Sequence, residues 1–215
     1  MDQQLLFLIN RNWTHPVADR IMAVASSFDF WWPFLLVGAI GLAIFGGFRW
    51  RVFLVAAVLA VGVTDALVVD SLKEMVGRPR PHDSLAGVRS LDLQSLEPRF
   101  LAVAEPLKEN FSGVRIRSPR GNSFPSGHAA NNFAVAGVGL LVFRRWGWMF
   151  LLPAALVAYS RVYVGSHWPL DVVVSALIGT ALGWLTVAGL ETLWRWKAKC
   201  WLPRIEKIHP SLLSK

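Results

Sequence analysis

The sequence has little of two residue classes that shape most secreted and soluble domains, cysteine and charged residues. It contains one cysteine, Cys200, so no disulfide can form within the chain. Charged residues make up 17% of the 215 positions, whereas about a quarter is usual in soluble domains. Hydrophobic residues make up 54%, and the mean hydropathy is +0.43. This composition favours a membrane protein over a large soluble helical domain.

Several sequence signatures are also absent. The net charge is +8 and the sequence pI is about 10.4, but no helix-turn-helix or RNA-binding signature accompanies it, so we expect no nucleic-acid partner. Anionic lipid and cytoplasmic loop anchoring explain the positive charge better. The first ten residues, MDQQLLFLIN, lack the basic start and long apolar core of a cleavable signal peptide.

The chain does contain a series of apolar runs, each close to the roughly 20 residues that a bilayer requires. These runs predict an all-α fold, an integral membrane helical bundle of about five to six transmembrane helices. The sixth would be a short first span, which competes with an interfacial N-terminal segment. The five predicted spans cover residues 31–48, 52–70, 124–143, 147–164 and 169–192.

The remaining segments suggest a three-part organisation. Residues 1–28 alternate apolar and polar pieces, which predicts one or two amphipathic helices lying on the membrane surface. Residues 29–194 would form the membrane domain, including an extracytoplasmic polar loop at 72–122. Residues 195–215 would form a cytoplasmic basic tail.

The orientation follows from the short basic turns. Arginines at 49, 51, 144 and 145 fall on the same side as the tail if five helices alternate. The positive-inside rule, weighted toward short turns, places that side in the cytoplasm. The 72–122 loop would then face the periplasm or the exterior of a bacterial inner (plasma) membrane.

Three polar clusters lie on this outer side under the same topology. They follow the second span, open the third span, and join the fourth span to the fifth. The clusters are KEMVGRPRP (73–81), PSGH (125–128) and SRVYVGSHWPLD (160–171). The spans are defined by hydropathy alone. The convergence of the three clusters on one side therefore follows from the alternation of the spans.

The first property of these clusters is a set of donors for an anion. Lys73, Arg80 and Arg161 supply three cations, of which the arginines offer planar forks suited to phosphate. Ser126 and Gly127 occupy the predicted first turn of a helix, whose free N–H groups form an anion seat. The residues therefore predict a phosphate site.

The second property is a pair of histidines. His167 and Asp171 are four residues apart, so the carboxylate would hydrogen-bond one ring nitrogen if both lie on a helix and leave the other free to attack phosphorus. His128 would donate a proton to the departing oxygen. The fixed cations would stabilise the developing charge, so we expect neither a metal nor another cofactor.

Four other polar residues have two interpretations each. Asp65 and Asp70 lie in or near the second span, where hydrogen bonding between helices is favoured over catalysis. Asn131 and Asn132 follow His128 by one turn. One of them would either orient the histidine ring or bond within the bundle.

The sequence closely resembles the type-2 phosphatidic acid phosphatase superfamily, which also contains vanadium-dependent haloperoxidases and glucose-6-phosphatase. The family signature is K-x6-R-P, then P-S-G-H, then S-R-x5-H-x3-D, and this chain matches every position. The matching residues are Lys73, Arg80, Pro81, Pro125, Ser126, Gly127, His128, Ser160, Arg161, His167 and Asp171.

The resemblance implies a role for each matched position. Phosphate would be bound by Lys73, Arg80, Ser126, Gly127 and Arg161. The leaving group would be protonated by His128, and a phosphohistidine would form on His167 with support from Asp171. Residues 29–194 would thus be a membrane phosphatase domain that works without metal.

We therefore expect a membrane lipid phosphatase whose partners are the bilayer and an anionic lipid phosphate. Candidate substrates are undecaprenyl diphosphate, phosphatidylglycerol phosphate, phosphatidic acid and lipid A phosphates. The small size of the chain favours an isoprenoid diphosphate among them. Two alternatives stay open at this stage: a lipid phosphotransferase that uses the same site, and a non-catalytic anion transporter. The sequence leaves the oligomeric state open.

Overall fold

The computed structural model describes residues 1–113 and 122–213, and most of these residues are helical. The α-helices are α1 (Asp2–Phe7), α2 (Pro16–Ser26), α3 (Phe28–Phe45), α4 (Phe48–Val63), α5 (Asp70–Val76), α6 (Pro81–Ser84), α7 (Gly127–Val142), α8 (Leu151–Tyr163), α9 (Pro169–Trp201) and α10 (Pro203–Ile208). Turns of π-helix cover Leu8–Asn12 and Thr64–Val69, and turns of 3-10 helix cover Arg99–Val103 and Gly147–Phe150.

Each predicted span falls on helical structure. The first, predicted at 31–48, is α3 and begins three residues earlier, and the last, predicted at 169–192, continues to Trp201 as α9. By length and composition, three of the described helical stretches can cross a membrane, and they are Phe28–Phe45, Phe48–Ser84 and Pro169–Trp201. The mostly helical architecture with apolar spans is confirmed, whereas the number of spans stays a prediction.

The helix α3 lies at the periphery of the bundle. Its 18 residues include none that is buried, although the sequence is strongly apolar. Exposed apolar side chains of this number are unfavourable in water and favourable in hydrocarbon. The helix therefore presents a lipid-facing surface.

The centre of the bundle is the contact between α7 and α9. A Cβ added at Gly179 would lie 2.0 Å from the carbonyl oxygen of Ala130, and one added at Gly183 would lie 2.3 Å from that of Ala134. Glycine is required at both positions because the two backbones touch. Since both pairs advance in the same direction, α7 and α9 run parallel and begin at the same end of the bundle.

The predicted polar loop contains structure that the sequence patterns did not indicate. Strands β1 (Arg89–Asp92) and β2 (Lys108–Phe111) pair antiparallel, with Arg89 opposite Phe111 and Asp92 opposite Lys108. The buried side chains of Val88, Leu91 and Leu93 fix the hairpin on the bundle. Residues 114–121 of the predicted loop lie outside the described residues.

The N-terminal segment, residues 1–27, packs on the bundle. Leu6, Ile9 and Ala23 are buried in a cluster that includes residues of α8 and the hairpin. The amide of the buried Asn10 donates to the carbonyl oxygens of Arg89 (2.8 Å) and Tyr163 (2.7 Å). The segment is thus a packed part of the fold, and its depth in a bilayer stays a prediction.

Candidate active site

The three polar clusters meet at the end of the bundle where α7 and α9 begin. The backbone N–H of Ser126 donates to the hydroxyl of Ser175 on α9 at 2.8 Å. The indole of Trp168 donates to the carbonyl oxygen of Pro79 at 2.9 Å. These bonds join the first cluster to the third and the start of α7 to α9, as the topology predicted.

The predicted cations surround the two histidines. The charges of Arg161, Arg80 and Lys73 all act on the ring of His128. The charges of Arg161 and Arg80, and a charge on His128, also act on the ring of His167. The structure therefore gathers both imidazoles and all three predicted cations in one electrostatic site.

A turn at Gly165 places His167 in this site. Gly165 has φ +74°, and a Cβ at this position would lie 2.4 Å from the carbonyl oxygen of Arg89. Its N–H donates to the carbonyl of Val162, and the N–H of Ser166 donates to that of Arg161, both at 3.0 Å. This Schellman motif ends α8 at Tyr163, two residues after Arg161, so the arginine and His167 lie on either side of one tight turn.

The orientation of the His167 ring is set by a backbone carbonyl. The Nδ1 atom of His167 lies 2.6 Å from the carbonyl oxygen of Ser123. Because a carbonyl oxygen only accepts, Nδ1 carries the hydrogen and Nε2 keeps a free lone pair. The ring is thus held in the tautomer that a nucleophile requires.

The charge state of His167 is also controlled. The side chain is 4% exposed. Burial, together with the neighbouring cations of Arg161 and Arg80, lowers the pKa of the imidazole well below 6.5, although the bond to Ser123 opposes the shift. The ring is therefore neutral near pH 7.

The prediction that Asp171 bonds the ring of His167 is wrong. Its buried carboxylate accepts from the Ser123 hydroxyl at 2.6 Å, from Arg78 and, at 3.4 Å, from the Trp168 N–H. The α9 helix begins at Pro169, so His167 precedes the helix and the four-residue spacing does not place the two side chains on one face. Asp171 is linked to His167 indirectly: Ser123 donates its hydroxyl to Asp171 and accepts from His167 at its carbonyl.

Arg78 is a site residue that the sequence analysis missed. Its guanidinium donates to Asp171 and, at 2.7 Å, to Asp2, and it lies 4.9 Å from the centre of the Trp168 ring. The available signal was its place inside GRPRP, two residues before Arg80. Arg78 was not predicted because Arg80 already supplies the arginine that a phosphate site needs from this cluster.

The start of α7 has the character of an anion seat. Ser126 occupies the N-cap position, yet its side chain makes no capping hydrogen bond. Its hydroxyl oxygen is buried and has no hydrogen-bond partner within residues 1–113 and 122–213. The first N–H groups of the helix and this hydroxyl are thus available to a phosphate oxygen.

Arg161 also presents a buried donor atom that has no hydrogen-bond partner among the described residues. Its Nη1 donates to the hydroxyl of Ser26 and, at 3.2 Å, to the Ser26 carbonyl oxygen. Its Nε is buried and lacks a partner in the described part of the chain. Since a buried guanidinium N–H without an acceptor is costly, Nε is a further donor for an anion.

Asp65, Asp70, Asn131 and Asn132, for which the sequence left two interpretations, contact other residues of the bundle. The amide of Asn131 donates to Asp65 at 2.9 Å, and that of Asn132 donates to the backbone oxygen of His128 at 2.9 Å. Asp70 lies 3.9 Å from Lys73. The interpretation of Asp65 as a hydrogen-bonded carboxylate between helices is confirmed, and neither asparagine bonds the His128 ring.

Across residues 1–113 and 122–213, no three His, Cys, Asp or Glu side chains are grouped so as to hold a metal ion.

Comparison with known proteins gives consistent matches. The chain is 30% identical over 190 residues to a lipid A 4'-phosphatase from Bacteroides thetaiotaomicron, a match covering 86% of this chain and 75% of the relative. It is 46% identical over 70 residues to an undecaprenyl-diphosphatase from Sulfolobus acidocaldarius, covering 32% of this chain and 34% of that protein. The crystal structure of Aquifex aeolicus LpxE superposes with a TM-score of 0.58 at 28% identity, over 86% of this chain and 94% of that one.

The family assignment follows from the extent of the match. The PAP2 superfamily matches residues 50–195, which include every residue of the predicted signature. The relative that matches 86% of the chain is a lipid A 4'-phosphatase, so the protein is a phosphatase, as the sequence predicted. The chain belongs to the PAP2 superfamily.

Proposed function

We propose that the protein hydrolyses a lipid phosphate through a phosphohistidine on His167. The observation that carries the proposal is the bond from His167 Nδ1 to the carbonyl of Ser123, which leaves Nε2 as the free nucleophile. In the first step the Nε2–P bond forms while the bond from phosphorus to the leaving oxygen breaks. His128 gives a proton to that oxygen.

The second step regenerates the enzyme. A water molecule loses a proton to His128 and attacks phosphorus, the Nε2–P bond breaks, and inorganic phosphate leaves. Asp171 acts indirectly, because its bond to the Ser123 hydroxyl holds the residue whose carbonyl orients His167. We assign to Asp171 a positioning role rather than direct contact with the nucleophile.

The phosphoryl oxygens would be held by Lys73, Arg80, Arg161 and the start of α7. The unpartnered buried atoms, Ser126 Oγ and Arg161 Nε, support this assignment, because a phosphate oxygen would satisfy both donors. Fixed donors aimed at the reacting group stabilise the charge of the transition state. We propose that no metal ion takes part.

The proposed substrate is a phosphate monoester of the lipid A type. The match to the lipid A 4'-phosphatase extends over 86% of this chain, whereas the match to the undecaprenyl-diphosphatase covers 32%. Wide coverage includes the hairpin beside the site, where substrate selection would take place. Undecaprenyl diphosphate is the second candidate, supported by the higher identity of the shorter match.

The test is phosphate release by the purified protein in detergent from a panel of lipid phosphates that includes both candidates. We expect His167→Ala to abolish release and to form no acid-labile phosphoenzyme, with wild-type release unaffected by EDTA and inhibited by vanadate. The matched control is His209→Gln, since His209 stacks on Phe48 at the opposite end of the bundle and should not affect release. Retained release by His167→Ala would refute the mechanism, and sensitivity to EDTA would refute the metal-free site.

A further inference from the structure

The N-terminal segment makes direct hydrogen bonds to two parts of the site. We infer that Asp2 positions the nucleophile and that Ser26 positions the phosphate-binding Arg161. This inference rests on the proposed function, because it assigns each residue to one half of that mechanism. Both are positioning residues, since neither is proposed to touch the substrate.

Asp2 is the outer end of a chain of charged hydrogen bonds. Its Oδ2 accepts from Nη2 of Arg78 at 2.7 Å, and Nη1 of the same guanidinium donates to Asp171. Because the two carboxylates share one rigid fork, Asp2 fixes the plane of Arg78 and therefore the position of Asp171.

The chain continues from Asp171 to the nucleophile. The carboxylate accepts from the Ser123 hydroxyl at 2.6 Å, and the Ser123 carbonyl accepts from His167 at 2.6 Å. The N–H of Ser123 also donates to the carbonyl oxygen of Arg78 at 2.9 Å. Ser123 is thus held directly by the Arg78 carbonyl and, through Asp171, by the Arg78 guanidinium, so a shift of Arg78 would tilt the His167 ring.

Asp2 has a second attachment at the start of α9. Its Oδ1 accepts from the backbone N–H of Leu170 at 3.0 Å, a group in the first turn of that helix that has no partner within the helix. A single carboxylate thus connects α1 to Arg78 and to the helix that carries Asp171. This double attachment distinguishes Asp2 from an ordinary surface ion pair, which contributes little.

Ser26 acts on the other half of the site. It is the last residue of α2, and both its carbonyl and its hydroxyl oxygen accept from Nη1 of Arg161. A cation is favoured at the end of a helix, where carbonyl groups lack partners. With Nη1 held in this way, the guanidinium plane is fixed and the unpartnered Nε has one direction in which to donate.

The segment between these residues is itself held in place. The N–H of Arg89 donates to Asn10 at 2.8 Å, and the Arg89 guanidinium forms an ion pair with Asp19. The hydroxyl of Tyr163 donates to Asp19 at 2.6 Å. Because these bonds fix residues 1–27 against the hairpin and α8, Asp2 and Ser26 act as fixed points rather than mobile contacts.

The two roles predict different kinetic effects. In Asp2→Asn the nucleophile is misaligned, so we expect kcat to fall about tenfold with KM within about twofold of wild type. In Ser26→Ala the anion site loosens, so we expect KM and the inhibition constant for vanadate to rise about fivefold with kcat within about twofold. The carbonyl of Ser26 persists in this variant, which keeps the loss partial.

Conservative and neighbouring variants serve as controls. Asp2→Glu and Ser26→Thr retain the acceptors and should recover most of the lost parameter. Gln4→Ala, an exposed position on α1, and Ser27→Ala, the neighbour of Ser26, should match wild type. Unfolding temperatures measured for all variants separate positioning from general loss of folded protein.

Each outcome has a defined meaning. A kcat effect in Asp2→Asn and a KM effect in Ser26→Ala, each reversed by its conservative variant, would establish the inference. Equal loss of active protein in both variants, lowered unfolding temperatures without a kinetic split, or wild-type kinetics would overturn it. His167→Ala in the same series tests the proposed function separately, because release by that variant would refute the mechanism whatever Asp2 and Ser26 do.

Discussion

The neighbours of His167 determine both the tautomer and the charge state of its imidazole. The carbonyl of Ser123 selects the tautomer, while burial and two arginines keep the ring uncharged. The three effects are compatible, because a ring that donates from Nδ1 and carries no proton on Nε2 is neutral. Arg161 and Arg80, which we propose to bind phosphate, therefore also keep His167 in the neutral form that the proposed attack requires.

This arrangement predicts the titration of His167. Its pKa in the folded protein is lowered, so the neutral, reactive form should persist as the pH falls below 6.5. We expect NMR of histidine-labelled protein, with the His167 signal assigned through His167→Gln, to give a pKa below 6.5. In Arg80→Gln the pKa should rise toward 6.5, because one of the nearby cations is gone.

A pKa at or above 6.5 in the wild type would contradict this assignment. Burial and the neighbouring cations would then not disfavour the protonated ring, which has no lone pair on Nε2 with which to attack phosphorus.

The residues proposed to bind phosphate were predictable from the sequence, whereas the residues that hold them in place were not. Lys73, Arg80 and Arg161 stand out because cations beside apolar spans are costly and so point to a ligand. Ser123 was hidden, since it acts through its backbone carbonyl, which any residue possesses. Asp171 was found, but its partner was misassigned because the helix starts after His167.

At the scale of elements, the parallel contact of α7 with α9 determines the distance between the two halves of the site. His128 is the second residue of α7, and Asp171 is the third residue of α9. Glycine at 179 and 183 lets the helices approach to backbone contact. Any increase in that separation would move His128 away from His167.

We predict that Gly179→Ala destabilises the protein. The added Cβ would lie 2.0 Å from the carbonyl oxygen of Ala130, a backbone atom that cannot move alone. Overpacking of this kind costs about 1–3 kcal/mol. A lower unfolding temperature in detergent, with lipid-phosphate hydrolysis reduced in parallel, is the expected result.

The matched control is Gly62→Ala on α4, where no atom lies within 4 Å of the added Cβ. Alanine has a higher helix propensity than glycine, so this variant should be as stable as the wild type or more stable. If Gly179→Ala and Gly62→Ala behaved alike, close approach of α7 and α9 would not be what glycine provides.

Elements were predictable to the extent that hydropathy defines them. The long helices α3, α4 and α9 were found because an apolar run of bilayer length is typical of a membrane-spanning helix. The β1–β2 hairpin was missed because its strands are four residues each and lie in a polar stretch. Its register depends on tertiary contacts, such as those of Arg89 with Asn10 and Asp19, that no local pattern encodes.

At the scale of the molecule, the N-terminal segment was assigned from its amphipathic pattern to the membrane surface. In the structure Leu6, Ile9 and Ala23 pack on α8 and the hairpin, whereas Val17 and Ile21 are exposed, so the position at the membrane surface stays a prediction. An amphipathic pattern establishes that one face is buried, but not whether lipid or protein buries it. In the structure, protein surrounds Asn10, whose fully buried amide donates to two backbone carbonyl oxygens.

The orientation of the whole molecule leads to a prediction that uses its one cysteine. Cys200 is exposed and lies at the end of α9 opposite the site. A helix of 33 residues is about 50 Å long, well beyond the roughly 30 Å hydrocarbon core, so its C-terminal end reaches water. If the basic turns face the cytoplasm, Cys200 does too.

We therefore expect a membrane-impermeant maleimide to leave Cys200 unlabelled in intact spheroplasts and to label it once the membrane is permeabilised. The reciprocal variant, Cys200→Ser with Glu105→Cys, places the thiol at an exposed position between the 3-10 turn and β2, on the side of the active site. It should be labelled in intact spheroplasts. The opposite pattern would place the phosphatase site in the cytoplasm, where it would meet a lipid phosphate before export rather than after it, and the short basic turns would then reflect local lipid contacts instead of topology.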